Sequence, residues 1–176
     1  MSAPTHDLGP LHGGLRLPAH KRDATAGAIL DVPVPEQLVV PLEQHAGKPA
    51  QPVVSVGARV FRGQLIAAPE GRMGVPVHAS SSGTVVAIEP RPVARRRGAE
   101  APCIVIDCDG EDAPCPASLR DTTKTMTPAD LLSHIVEGGI VGLGGAVFPT
   151  AQKIMQARTS RVECLILNGV ECEPYI

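Results

Sequence analysis

Aromatic residues are nearly missing from this chain: two Phe, one Tyr and no Trp among 176 residues. Any core must therefore be built from Val, Ile, Leu and Ala. A surplus of charge is missing too. The formal net charge is −2, which removes the electrostatic case for a nucleic-acid partner, and the Arg95, Arg96, Arg97 run reads as a solvated loop. No apolar run approaches the roughly 20 residues that span a bilayer. The opening M-S-A-P-T-H-D lacks the basic start and apolar stretch of a signal peptide. Together these absences lead to an expected location in the cytoplasm, or peripheral to a membrane on that side. Five cysteines are present, but none falls in C-x-x-C and none follows ferredoxin-cluster spacing. An odd count without an export signal argues against a disulfide framework. Cys103 and Cys108 are expected as core or edge residues of a strand. Cys172, between two glutamates, is expected in the same structural role rather than a metal or redox one. His12 and His20 have no ligand spacing, so no metal site is expected.

What is abundant is punctuation. Gly and Pro number 18 each, which signals many turns. Residues 1–36 show no apolar periodicity and read as an extended arm. Residues 37–109 read as an all-β domain. Short Val- and Ile-rich runs at 37–42, 52–56, 64–68, 75–79, 84–89 and 104–107 are separated by turn residues, as in a small sandwich or barrel. Residues 110–126 read as a polar linker. At 127–137 the spacing predicts a helix, with Thr127 as N-cap, Pro128 in the first position and Asp130 three residues on. Leu131, Leu132, Ile135 and Val136 form its expected buried face, and Gly138-Gly139 ends it. A second helix is predicted over 148–158, with proline in its first turn, and a buried parallel strand over 162–167.

The densest chemistry lies near the C-terminus. G-L-G-G-A-V-F-P-T runs from Gly142 to Thr150, with Lys153 one turn into the helix. Gly142, Gly144 and Gly145 permit positive φ and close backbone approach to a ligand. Amides at the following helix N-terminus favour an anion, and Lys153 adds a full positive charge. After the predicted strand come Asn168, Glu171 and Glu173, at the strand end where ligands sit in open α/β folds. The pair of segments can hold a phosphate at one end and a ribityl chain or ring at the other. The alternative is a tight turn that only packs a helix on a sheet.

These residues carry a family resemblance. G-I-V-G-L-G-G-A-V-F-P-T-x-x-K with L-I-L-N-G-V-E-C-E-P-Y-I resembles the C subunit of the Rnf (Rsx) ion-translocating electron-transport complex. H-G-G-L-R-L-P-A-H-K at 12–21, V-V-P-L-E-Q-H-A-G at 39–47, V-G-A-R-V-F-R-G-Q-L-I-A at 56–67, P-V-H-A-S-S-S-G-T-V-V-A-I-E-P-R at 76–91 and C-I-V-I-D-C-D-G-E-D at 103–112 extend it over nearly the whole chain. The resemblance implies an α+β, multi-domain protein. A small β barrel-sandwich hybrid of biotinyl/lipoyl type is followed by the start of an α/β flavin- and NADH-binding domain at 127–176. In the glycine-loop region the family is similar to the flavoprotein subunit of respiratory NADH dehydrogenase. That likeness implies FMN phosphate contacts from Gly142, Gly144, Gly145 and Lys153, and flavin-side polar contacts from Asn168 and Glu171. It places Phe148 and Glu173 near the nicotinamide nucleotide. It further implies partner subunits embedded in the bacterial inner membrane, with this protein peripheral on the cytoplasmic side.

Three departures shape the expectations. The family pattern G-G-A-G-F-P has Val147 at its third glycine, and a β-branched residue there is strained if φ is positive. Ile176 precedes the rest of the flavin fold and the ferredoxin-like 4Fe-4S module that the family carries. The flavin site is therefore expected to be incomplete, the cluster ligands absent, and the chain alone inactive. The hairpin tip at 69–74, P-E-G-R-M-G, lacks the lysine that biotin and lipoyl carriers modify, so a swinging-arm role is not expected. The readings that remain are the N-terminal part of an NADH-oxidising electron-transfer subunit and a docking or scaffold module without redox competence.

Overall fold

The short apolar runs form strands where β-branched residues alternate with turn residues. The structure, a computed structural model, describes residues 18–94, 99–116, 125–143, 146–160, 162, 164 and 166. Seven strands are seen among them: β1 (Gln37–Pro41), β2 (Gln51–Pro52), β3 (Arg59–Val60), β4 (Leu65–Ala68), β5 (Val77–His78), β6 (Gly83–Pro92) and β7 (Glu100–Cys108). They form an antiparallel sheet β1-β7-β6-β3 and a smaller antiparallel sheet β2-β4-β5. The two sheets share one core of Val40, Leu42, Val60, Ile66, Val77, Val85, Ile104 and Ile106. No aromatic ring enters that cluster, consistent with a chain of two Phe, one Tyr and no Trp. β7 lies between β1 and β6, and Cys103 through Ile106 are fully shielded. A central strand covered on both faces reads as a continuous apolar run. Cys103 and Cys108 both lie on β7, and burial pushes each thiol up.

Two strand expectations change. The run at 52–56 pairs only over Gln51–Pro52, and the Arg59–Val60 strand was not expected. Two-residue strands hold too little periodicity to read, and their pairing partners decide them.

Residues 109–115 are strapped onto the barrel. The Arg62 N–H donates to the Ala113 carbonyl and the Cys115 N–H to the Arg62 carbonyl. The Ser82 hydroxyl donates to Asp109 at 2.8 Å, and Arg59 pairs with Asp109 at 2.7 Å. The Ser82 hydrogen bond first, with help from the Glu111 N–H and the Arg59 charge, holds the Asp109 carboxyl below its ordinary range. A carboxyl lowered in the folded state contributes stability above its unfolded pKa and loses it as pH falls through the folded value. Acidification below about pH 4, the ordinary aspartate range, should therefore release this strap. Faster amide exchange at Ala113 would register it, and Asp109→Asn should abolish the transition. A transition unchanged in the variant would assign it to another group.

The helices are α1 (Lys21–Ala24), α2 (Pro128–Glu137) and α3 (Thr150–Thr159). The chain divides into one unit of Met1–Val32 with Leu165–Ile176 and another of Pro33–Cys164. In the first, α1 is a single turn within the expected arm, where His20 Nδ1 meets Asp23 at 3.2 Å. In the second, α2 carries the expected capping box: the Asp130 N–H donates to the Thr127 hydroxyl, and the Thr127 N–H to the Asp130 carboxylate. It ends in a Schellman turn, with the Gly139 N–H donating to Val136, the Ile140 N–H to Ile135, and Gly139 at φ +65°.

Three expectations here are corrected. The face of α2 is not buried: Leu131 and Val136 are exposed, and Leu132 and Ile135 only half-buried. α3 begins at Thr150, with Pro149 as its N-cap residue rather than within its first turn. Residues 162, 164 and 166 are irregular and exposed rather than part of a buried strand, while 163, 165 and 167 lie outside the described residues. A parallel strand needs a neighbouring strand to bond, and none faces them among the described residues. No helix among the described residues is long and apolar enough to cross a membrane.

Candidate functional site

The candidate site forms where the end of α2 turns into α3. An isolated bridge joins Val141 and Pro149, and the Gly142 N–H donates to the Phe148 carbonyl at 2.8 Å. These bonds close the neck of the glycine loop. Lys153, one turn into α3, reaches back so that its ammonium lies on the bare face of Gly142. A Cβ at that position would collide with Lys153 Nζ. The missing side chain is thus what allows the cation to sit at the loop. The structure brings Gly142, Phe148 and Lys153 together. Gly144, Gly145, Asn168, Glu171 and Glu173 lie outside the described residues, as do Cys172, His12 and the arginine run at 95–97.

Val147 has φ +44°, the left-handed region, and is the non-glycine residue where the sequence placed strain. Its carbonyl accepts from the Ala46 N–H at 3.1 Å. That bond comes from the loop between β1 and β2, and it fixes an otherwise costly conformation.

The helix-end contribution is smaller than the sequence suggested. The Thr150 N–H already donates to Ile140, and the Gln152 and Lys153 N–H groups both point at the Pro149 carbonyl. Proline has no N–H of its own. The first-turn amides of α3 are largely spent internally, so the cationic character of this site rests on Lys153. A side chain of one full charge beside a glycine backbone suits a small anion such as a phosphomonoester. The described residues therefore fit the phosphate end of a nucleotide.

Contacts that the sequence did not announce tie this segment to the barrel. Gln152 Nε2 donates to the Arg72 carbonyl at 2.7 Å. The Ala46 N–H bond to the Val147 carbonyl is another such tie. No local pattern signals such pairs, because the partners are far apart in the chain. A cleft of about 950 Å³ also opens between the barrel and the end of α2, lined by Gln64, Leu65, Pro76, His78, Cys115 and His134 among others. None of the expected flavin-contacting residues lines it. Among the described residues no group of His, Cys, Asp and Glu is placed to hold a metal ion.

Two family models match the chain. Residues 10–111 match the RnfC barrel sandwich hybrid domain, and residues 135–176 match the Nuo51 FMN-binding domain. The chain is 46% identical over 169 residues to the C subunit of an ion-translocating oxidoreductase complex of Pseudomonas aeruginosa, covering 93% of this chain and 21% of that protein. It is 41% identical over 164 residues to the same-named protein of Serratia proteamaculans, covering 93% of this chain and 23% of that one. The C subunit of a Na(+)-translocating ferredoxin:NAD(+) oxidoreductase complex of Acetobacterium woodii is 40% identical over 174 residues, covering 96% of this chain and 38% of that protein. The chain thus spans about a fifth to two fifths of the length of these curated relatives.

Proposed function

Because the chain belongs to the RnfC family, we propose that it serves as the N-terminal part of an ion-translocating oxidoreductase subunit that exchanges electrons with NADH through flavin and iron–sulfur clusters. Ion movement occurs in membrane-embedded partner subunits, and this protein sits against them on the cytoplasmic side. The arm at 1–36, the barrel at 37–109 and the linker at 110–126 lead to the flavin-binding part at 127–176. One observation carries the reading: Lys153 seated on Gly142 within the segment that matches an FMN-binding domain.

When bound, the flavin supplies the hydride and electron chemistry. This chain supplies position and charge. Gly142, Gly144 and Gly145 let the loop backbone approach the phosphate, and Lys153 neutralises it. By the family resemblance, Asn168 and Glu171 would contact the flavin and Phe148 and Glu173 the nicotinamide nucleotide. The other roles rest on it too. The described residues make one wall of such a pocket, whereas small-molecule sites bury most of their ligand. A second reading, a docking module without redox competence, is favoured by one feature: Val147 fills a position where the family pattern has glycine, at φ +44°.

The test joins this chain to the remainder of the Pseudomonas aeruginosa relative. The joined chain should bind FMN and oxidise NADH. Lys153→Ala should weaken FMN binding about tenfold, the scale of one charge-assisted hydrogen bond. The 176-residue chain alone should lose any flavin on desalting. Stoichiometric yellow flavin surviving on the short chain would overturn the one-wall argument. No FMN on the joined chain would favour the docking module.

A further inference from the structure

We propose that the barrel acts as the mould of the glycine loop, with Ala46, Gln152 and Gly139 as positioning residues for the phosphate end. The ligand in this proposal rests on the flavin reading above; the clamp itself does not. Three contacts converge on the loop from the barrel. The Ala46 N–H holds the Val147 carbonyl at 3.1 Å. The Arg72 carbonyl receives Gln152 Nε2 at 2.7 Å, next to Lys153. Gly139, three residues before Gly142, lies so close to the barrel that an added Cβ would come within 2.6 Å of the Pro76 carbonyl oxygen.

The barrel side of this clamp is itself cross-linked. Lys48 pairs with Glu70 at 2.8 Å, and Gln51 donates to the same carboxylate at 2.7 Å. His45, buried in the same loop, lies 3.0 Å from the Lys48 carbonyl through Nε2. These bonds link the loop at 43–48 to the tip at 69–74. That tip is where a carrier domain of this fold type presents its modified lysine. Here its backbone docks α3 instead, which gives a barrel without a swinging arm a definite task. Each contact lands just outside or inside the neck closed by Gly142 and Phe148. Releasing any of them lets Lys153 and the loop drift apart. Preorganised contacts of this kind raise affinity by removing the cost of ordering.

The test has two readouts. In the 176-residue chain, Gln152→Ala and Gly139→Ala should each speed amide exchange at Gly142 by about tenfold, with Leu42 and Ala50 in the barrel unchanged. In the joined chain, Gln152→Ala should weaken FMN binding about three- to tenfold, the scale of one hydrogen bond, and leave riboflavin binding unchanged. Gln152→Glu, which cannot donate at that position, should speed Gly142 exchange as the alanine variant does. Unchanged Gly142 exchange in both variants overturns the clamp. Equal weakening of FMN and riboflavin also overturns it, because that is the signature of general loosening. If the unmutated joined chain binds no FMN, the flavin reading fails by itself, and the exchange result alone decides the clamp.

Discussion

Gly83→Ala is expected to lower stability by about 3 kcal/mol or more, at the upper end for overpacked cores. Gly83 opens β6 and pairs with Val60 on one side and Cys108 on the other. A Cβ there would run into the Asp107 carbonyl oxygen, with the Asp107 carbon and the Cys108 Cα both at 2.9 Å. The obstacles are backbone atoms of a central strand, so no side chain can swing away. Asp107 cannot retreat either, because it is paired with Gln37 on its far side. The strands must part at the junction of three of them, and the core behind Val60 and Val85 opens with them. Urea unfolding monitored by far-ultraviolet circular dichroism would measure the loss. Gly27→Ala, where an added Cβ meets nothing within 4 Å, is the matched control. A Gly83→Ala midpoint within error of that control would show that the strands yield easily, contrary to this account.

Val147→Gly is expected to act in the opposite direction. A β-branched residue at φ +44° carries about 1–3 kcal/mol of backbone strain. Glycine removes it but returns about 0.5–1 kcal/mol through its freer unfolded chain. The net gain should be up to about 2.5 kcal/mol, read as a higher urea midpoint at constant slope. The same change should strengthen FMN binding in the joined chain, because it clears a half-buried side chain from the loop. The Ala46 bond to the residue 147 carbonyl does not depend on the side chain and should survive. Equal stability and equal affinity would place Val147 outside the ligand's reach and show its conformation to be unstrained.

Much of this was legible in the chain itself. The capping box at Thr127 and Asp130 was readable because its partners are three residues apart, and such spacing needs no tertiary knowledge. The Gly138-Gly139 stop was readable because a positive φ there selects glycine. The strain at Val147 followed from the family resemblance, whose pattern has glycine at that position. The barrel followed from apolar runs cut by turn residues. The closeness of Lys153 to Gly142 followed from a single helical turn.

The rest waited on contacts between distant residues. Burial of the α2 face could not be read from its periodicity, because an apolar stripe shows only that a helix can be covered. Whether it is covered depends on what packs against it, and Leu131 and Val136 remain exposed. At residues 162, 164 and 166 the apolar run had the composition of a strand, but a strand is made by its neighbours' hydrogen bonds. The clamp was invisible because Arg72 and Gln152 stand 80 residues apart and one of the two contributes only a backbone carbonyl, an atom every residue has. Local chemistry, then, was determined by the sequence alone: caps, turns, the glycine loop and the charge beside it. Only the tertiary structure decided which backbone atoms of the barrel hold that loop in place, because a bond to a backbone atom leaves no mark on residue identity.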